Sequence, residues 1–141
     1  MGEIGALVVD AGPLYAYVDA DDAHHAECLH LLQTHRGPLV VPTLVITEAA
    51  YLIASRLGPE AEVRFLGDFA EGLFTVEPVH PADWLRIAEL VAKYRDFPLG
   101  TADASVIAVA ERRGLTTVAT TDRRHFSAIV PNHAPSLTLL P

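Results

Sequence analysis

Cysteine is almost missing from this sequence of 141 residues. Cys28 stands alone, so there is no internal disulfide and no cysteine cluster for a zinc or iron–sulfur site. Positive charge is scarce as well. Ten basic residues face 18 acidic ones, a net charge of −8 with histidine neutral, which excludes a broad basic face holding nucleic acid by bulk attraction. Lysine is reduced to Lys93, and the other nine bases are arginine. Long apolar runs are lacking: Ala49–Ala54 is interrupted by Glu48 and Ser55, and nothing approaches the ~18 consecutive apolar residues of a membrane span. The opening Met1-Gly2-Glu3-Ile4-Gly5 has neither the basic region nor the apolar stretch of a signal peptide, so a cytoplasmic protein is expected. Internal repeats, low-complexity stretches and interdomain linkers are missing too. These absences exclude a stapled secreted scaffold, a zinc finger and a histone-like binder. What is present is half hydrophobic and only 20% charged, enough for a core in one domain over residues 1–141.

Short β-branched runs alternate with longer amphipathic stretches. Strands are expected at Ile4–Val9, Leu39–Val41, Leu73–Val76 and Thr117–Thr120, with a weaker one at Leu137–Leu139. Their brevity and apolar character suit strands buried on both faces of a parallel sheet. Helices are expected from Asp21 or Asp22 to His35, from Thr43 to Arg56, from Pro59 to Glu71, from Pro81 onward and from Ala102 to Arg113. Gly37-Pro38, Gly58 and Gly114 supply stops, and Pro59 suits a first helical position. The helix from Pro81 carries Trp84, Ile87, Leu90, Val91 and Tyr94 at helical spacing; Trp84 with Leu85, Ile87 and Ala88 reads as packing between helices. Cys28 reads as a small core residue. The pattern is that of a small α/β sandwich with a parallel sheet.

The chemistry lies in the carboxylates. Asp10 follows Ala6-Leu7-Val8-Val9, and Asp122 closely follows Thr117-Val118-Ala119-Thr120, so both sit at the carboxyl ends of strands. In open parallel sheets the ligand crevice lies outside those ends. Glu48 and Asp103 each interrupt an otherwise apolar helix, and the dipole at a first turn contributes only ~0.3–1 kcal/mol, too little to explain burying Asp103. Asp96 precedes Phe97-Pro98 on the loop leading to the Asp103 helix. Two unit charges 4 Å apart repel by roughly 4 kcal/mol at an effective dielectric near 20, so clustered acids must protonate, separate or bind a cation. Oxygen ligands alone suit Mg²⁺ or Mn²⁺ rather than zinc, and such an ion supports phosphodiester hydrolysis.

Val8-Val9-Asp10, Glu48, Leu99-Gly100-Thr101-Ala102-Asp103-Ala104 and Thr120-Thr121-Asp122-Arg123-Arg124-His125-Phe126 together resemble the PIN domain, and within it the VapC-type ribonuclease toxins of toxin–antitoxin pairs. The resemblance runs from Val8 to Phe126. It implies a three-layer α/β/α fold with a central, mainly parallel sheet of four to five strands. It also implies that Asp10, Glu48, Asp103 and Asp122 are the catalytic acids binding Mg²⁺ or Mn²⁺, with Asp96 an accessory metal-binding acid and Thr120 the hydroxyl ordering the last loop. An RNA substrate, a homodimer and a cognate antitoxin that wraps apolar helix surface follow from the same resemblance. One departure is visible: the family commonly has Thr-Ser or Thr-Gly after its first Asp, and here Ala11-Gly12 stand there, removing a hydroxyl near the site.

Plainer roles compete. Asp10 also reads as a helix cap, Asp122 and Asp96 as turn residues, Thr120 as an ordinary strand residue, and Glu48 as the partner of Arg56 or Arg112. Arg123 and Arg124 would stand at the rim of the site, where a guanidinium fork suits phosphate, whereas Arg112 and Arg113 complement the end of their helix. His125 is a further neighbour of Asp122, and His24-His25 read as solvent-facing. Three other functions remain open: a flap-type DNA nuclease, a phosphoacceptor receiver domain, and a PIN-like nucleic-acid-binding module without activity.

Overall fold

The computed structural model describes residues 5–141. Five short strands, β1 (Leu7–Val9), β2 (Leu39–Pro42), β3 (Thr75–Glu77), β4 (Thr117–Ala119) and β5 (Thr138–Leu140), form one sheet in the order β3-β2-β1-β4-β5, every pairing parallel. The central strand has no solvent-facing side. Leu7, Val8 and Val9 are all buried, with Val8 in register with Val40 on one side and Val118 on the other. A strand buried on both faces cannot show alternation, which is why it reads as a continuous apolar run. Ile4, the expected start of β1, lies outside the described residues; Gly5 and Ala6 precede the strand without joining it. The expected Leu73–Val76 strand is displaced to Thr75–Glu77, because Phe74 turns into the core while Leu73 is exposed.

Seven helices flank the sheet among the described residues, giving the expected α/β/α layering: α1 (Ala11–Val18), α2 (His25–Thr34), α3 (Thr43–Leu57), α4 (Pro59–Ala70), α5 (Pro81–Lys93), α6 (Thr101–Arg113) and α7 (Arg123–Ala128). Helix α6 is the most enclosed, with Ala104–Ala110 continuously buried; its small residues let it pack against α3 and α5 and the first two strands. Gly114 ends it in the left-handed region at φ 67°, and Leu115 N–H then donates back to the Ala110 carbonyl at 2.8 Å. Two helices escaped the sequence pattern. Gly12-Pro13 looks like a turn, yet Pro13 falls in the first turn of α1, where no backbone donor is needed. Helix α7 has only six residues.

Helix α2 starts later than its acidic lead-in suggests. Asp19 and Asp22 carboxylates accept from the Asp21 and His24 amides, holding a turn ahead of it. Helix α5 corrects a packing expectation. Its buried face is Asp83, Ile87 and Leu90, whereas Trp84 and Leu85 are exposed. Cys28 is buried as expected, and burial pushes its thiol up to about 11. Among the described residues no helix is long and apolar enough to cross a membrane.

Candidate metal centre

Asp10 is placed by the sheet itself. Its backbone N–H donates to the Ala119 carbonyl at 2.9 Å, fixing the residue where β1 and β4 run out side by side. The residue stands at the cap position of α1, but its carboxylate makes no capping hydrogen bond. It is buried instead, 4% exposed; the Thr120 hydroxyl donates to Oδ2 at 3.0 Å and Oδ1 has no partner. Burial, followed by the Asp103 charge, pushes its pKa up to about 7; Glu48 adds to the rise, against the Ala11 amide and the Thr120 hydroxyl.

Glu48 and Asp103 arrive from two helices. Glu48 projects from α3 between the buried Val45 and Ala49, and Asp103 is the third residue of α6. One oxygen each from Asp10, Glu48 and Asp103 lie within 4.8 Å of one another. Partial burial and the Asp103 charge raise Glu48; burial and the Asp122 charge raise Asp103, against the Gly100 amide and His125. No cation pairs with Glu48 among the described residues. Of its two suggested partners, Arg56 lies over the Tyr15 ring and Arg112 is bound to Asp83 and Glu77.

This arrangement suits a hard divalent cation. Three carboxylates converge without a compensating arginine, and a buried acceptor, Asp10 Oδ1, is left unsatisfied, a condition that proteins avoid unless something else fills it. The donors are all oxygen, which favours Mg²⁺-like ions over zinc. The three acids could therefore hold a metal ion.

Asp122 lies outside this trio, though close enough for its charge to act on Asp103. Its side chain, 40% exposed, accepts from the His125 backbone N–H at 3.1 Å and meets His125 Nδ1 at 2.8 Å, so it caps α7, where the plainer reading had it a turn residue. Thr120 joins the two strand ends. Its buried hydroxyl donates to Asp10 and accepts from the Asp122 N–H at 3.0 Å. Asp96 is exposed in the turn after α5, away from the trio. Arg123 donates from Nη2 to the carbonyls of Leu139, at 3.2 Å, and Pro141. Arg124 rests over the Phe97 ring, 5.0 Å from its centroid.

Two contributors were not legible as such. At Gly12 a Cβ would collide with Thr121 Oγ1, so a side chain there would force the Thr121 hydroxyl to turn away from the first turn of α1. The sole hint was a glycine two residues after Asp10. Phe97 stacks on His125 with ring centroids 4.5 Å apart and planes 30° apart, and only the neighbouring Pro98 marked that loop. His24 pairs with Glu27 at the surface, while His25 turns inward to the Ala16 carbonyl.

The family profile described as the PIN domain matches residues 7–130. Ribonuclease VapC26 of Mycobacterium tuberculosis is 35% identical over 135 residues, covering 96% of this chain and 100% of that protein. The structure of M. tuberculosis VapC20, described as a sarcin–ricin-loop-cleaving toxin, resembles this one with a TM-score of 0.75 at 21% identity, over 79% of this chain and 86% of that one. DNA-bound VapBC from Salmonella typhimurium gives a TM-score of 0.67 at 18% identity, over 95% and 96% of the two chains. These two structural likenesses concern the fold.

Proposed function

Since the chain belongs to the PIN-domain family, we propose that it is the ribonuclease toxin of a toxin–antitoxin pair, hydrolysing RNA phosphodiesters with the help of Mg²⁺ or Mn²⁺. The observation that carries this reading is the convergence of Asp10, Glu48 and Asp103 around an unpartnered buried oxygen. These three residues would hold the ion, which when bound supplies Lewis-acid activation of water and compensates charge on the leaving oxygen.

The protein's own groups divide the remaining tasks. Asp10 is fixed by Thr120, so the innermost ligand does not have to be reorganised. Glu48, unpaired and facing solvent, and Asp122, steadied by His125, are the carboxylates able to align a water and accept its proton. An arginine of the Arg123–Arg124 pair contacts the phosphate backbone, and Asp96 is an accessory acid to the metal site. With a net charge of −8, RNA engagement depends on the ion and a few directed arginines rather than on bulk attraction.

An antitoxin partner fits the same reading, as the Salmonella typhimurium neighbour is a VapBC assembly. A groove of about 580 Å³, lined by Tyr17, Leu29 and Leu57 together with the polar Gln33, Arg64 and Asp68, offers mixed helix surface for such a partner to cover. We further propose a cytoplasmic homodimer; sedimentation of the purified chain checks the dimer.

Incubation with total RNA tests the activity. The parent cuts in Mg²⁺ or Mn²⁺ and is silenced by chelation; folded Asp10→Asn and Asp103→Asn lose both cleavage and calorimetric Mn²⁺ binding. Cleavage at the parent rate by folded Asp10→Asn overturns the assignment.

A further inference from the structure

The adjacent arginines of α7 are employed differently. Arg123 spends its guanidinium inside the protein, donating to the carbonyls of Leu139 in β5 and of Pro141. It thereby ties α7 to the chain's last strand. Arg124 is exposed and, among the described residues, has no carboxylate or carbonyl partner. Its guanidinium lies over the Phe97 ring, 5.0 Å from Cζ to centroid.

A guanidinium resting on an aromatic face keeps its N–H donors, which lie in its plane and remain free for a second partner. The ring fixes the orientation without using the hydrogen-bonding capacity. Phe97 is itself held: it stacks on His125, and His125 Nδ1 is hydrogen-bonded to Asp122 at 2.8 Å. A connected series therefore runs from Asp122 beside the acid cluster, through His125 and Phe97, to the guanidinium of Arg124. Phe97 also lies four residues before α6, the helix that carries Asp103. The arginine is thus directed from the same two segments that carry Asp103 and Asp122.

We propose that Phe97 is a positioning residue that directs Arg124 towards a phosphate of the bound RNA, and that Arg123 serves the fold instead. The proposal rests on the ribonuclease reading above, and assigns within it which of two neighbouring arginines meets the substrate. A long arginine without support loses rotamer entropy on being fixed, part of which the Phe97 platform removes before RNA arrives.

Binding of a fluorescein-labelled pool of random-sequence RNA hairpins, followed by anisotropy at several salt concentrations, tests the proposal. Mn²⁺ calorimetry and melting are run on each variant. Arg124→Ala is expected to weaken binding about tenfold and to lower the salt slope by about one. Phe97→Leu costs several-fold, Phe97→Tyr restores most of it, and Phe97→Leu/Arg124→Ala is no worse than Arg124→Ala alone. Mn²⁺ affinity stays at the parent value in all of these. Arg123→Ala costs less than a third of the Arg124→Ala effect and shows instead as a lower Tm. Equal losses for the two arginines, a harmless Phe97→Leu, or additive effects in the double variant overturn the proposal. A parent that binds the pool but does not cut RNA defeats the ribonuclease reading, while the variants still judge the positioning role. A parent that binds no RNA defeats both.

Discussion

Asp83 and Asp103 occupy the same position in consecutive helices, the third residue of α5 and of α6, and their surroundings are opposite. Asp83 is ringed by donors: Arg112 Nε at 3.0 Å, Arg112 Nη2 at 3.1 Å and the His80 amide at 2.9 Å. Burial would raise its pKa, but those hydrogen bonds prevail and hold it below the ordinary range. The same network continues outward. Arg113 and Arg112 reach Glu77 at 2.8 and 3.2 Å, and Arg86 grips Glu111 at 2.7 and 2.9 Å, keeping Glu111 low against its own burial. Asp103 faces Asp10 and Glu48 with no arginine opposite, and burial and the Asp122 charge move it up. Acid content therefore does not mark the functional region. The absence of a partner does: paired carboxylates hold the helices together, and unpaired ones wait for a cation.

Exchanging the two aspartates for asparagine separates these roles most sharply. Asp103→Asn should lower RNA cleavage on the order of a thousandfold while the chain stays folded, as followed by product analysis beside circular dichroism. Asp83→Asn should do the reverse, costing about 2–3 kcal/mol of stability by leaving Arg112 half-paired, with cleavage per folded molecule retained. Urea unfolding reads that loss, and a silent Asp83→Asn would break the comparison. Next in size is the pH response of the metal-free protein. Asp10 titrates at about 7 when folded against 3.8 ordinarily, so the folded state holds the extra proton between those values and stability falls as pH rises through them. Asp83 and Glu111, held low, act in the other sense, losing their contribution only on acidification. In chelator at pH 8, Asp10→Asn should melt several degrees above the parent; the gap should narrow as pH falls and close only below about pH 4. The smallest effect is expected from Thr120→Val, which keeps the shape but removes the hydroxyl on Asp10. Mn²⁺ affinity should fall about tenfold by calorimetry, with little change in Tm.

Much of this was visible in the order of residues. Asp10 and Asp122 were marked by the apolar runs ahead of them, and Glu48 and Asp103 by the apolar helices they interrupt. Strand centres were legible for the same reason, while edges moved by a residue or two wherever a side chain such as Phe74 preferred the core. Helix α1 was hinted at only by the cap reading of Asp10, because Gly12-Pro13 is unusual helix sequence that nonetheless suits a first turn. The pairing of Asp83 with Arg112, 29 residues apart, leaves no local trace, since periodicity reports which face is buried and not what it meets. For that reason Asp83 and Asp103 look equivalent as letters. Nor could spacing show that Asp122 turns to His125 while Asp10 keeps an oxygen free.

The hydroxyl of Thr120 reaches Asp10 across 110 positions of chain, between two strands that are neighbours only in the finished sheet. A polypeptide emerging from a ribosome therefore carries Asp10, Glu48 and even Asp103 before it has the strand that locks the first of them in place. The cutting apparatus is withheld until synthesis has passed position 120 and β4 has slid in beside β1. Closure of the site is thus tied to the longest-range pairing of the sheet, β1 with β4, and comes late in the making of the chain.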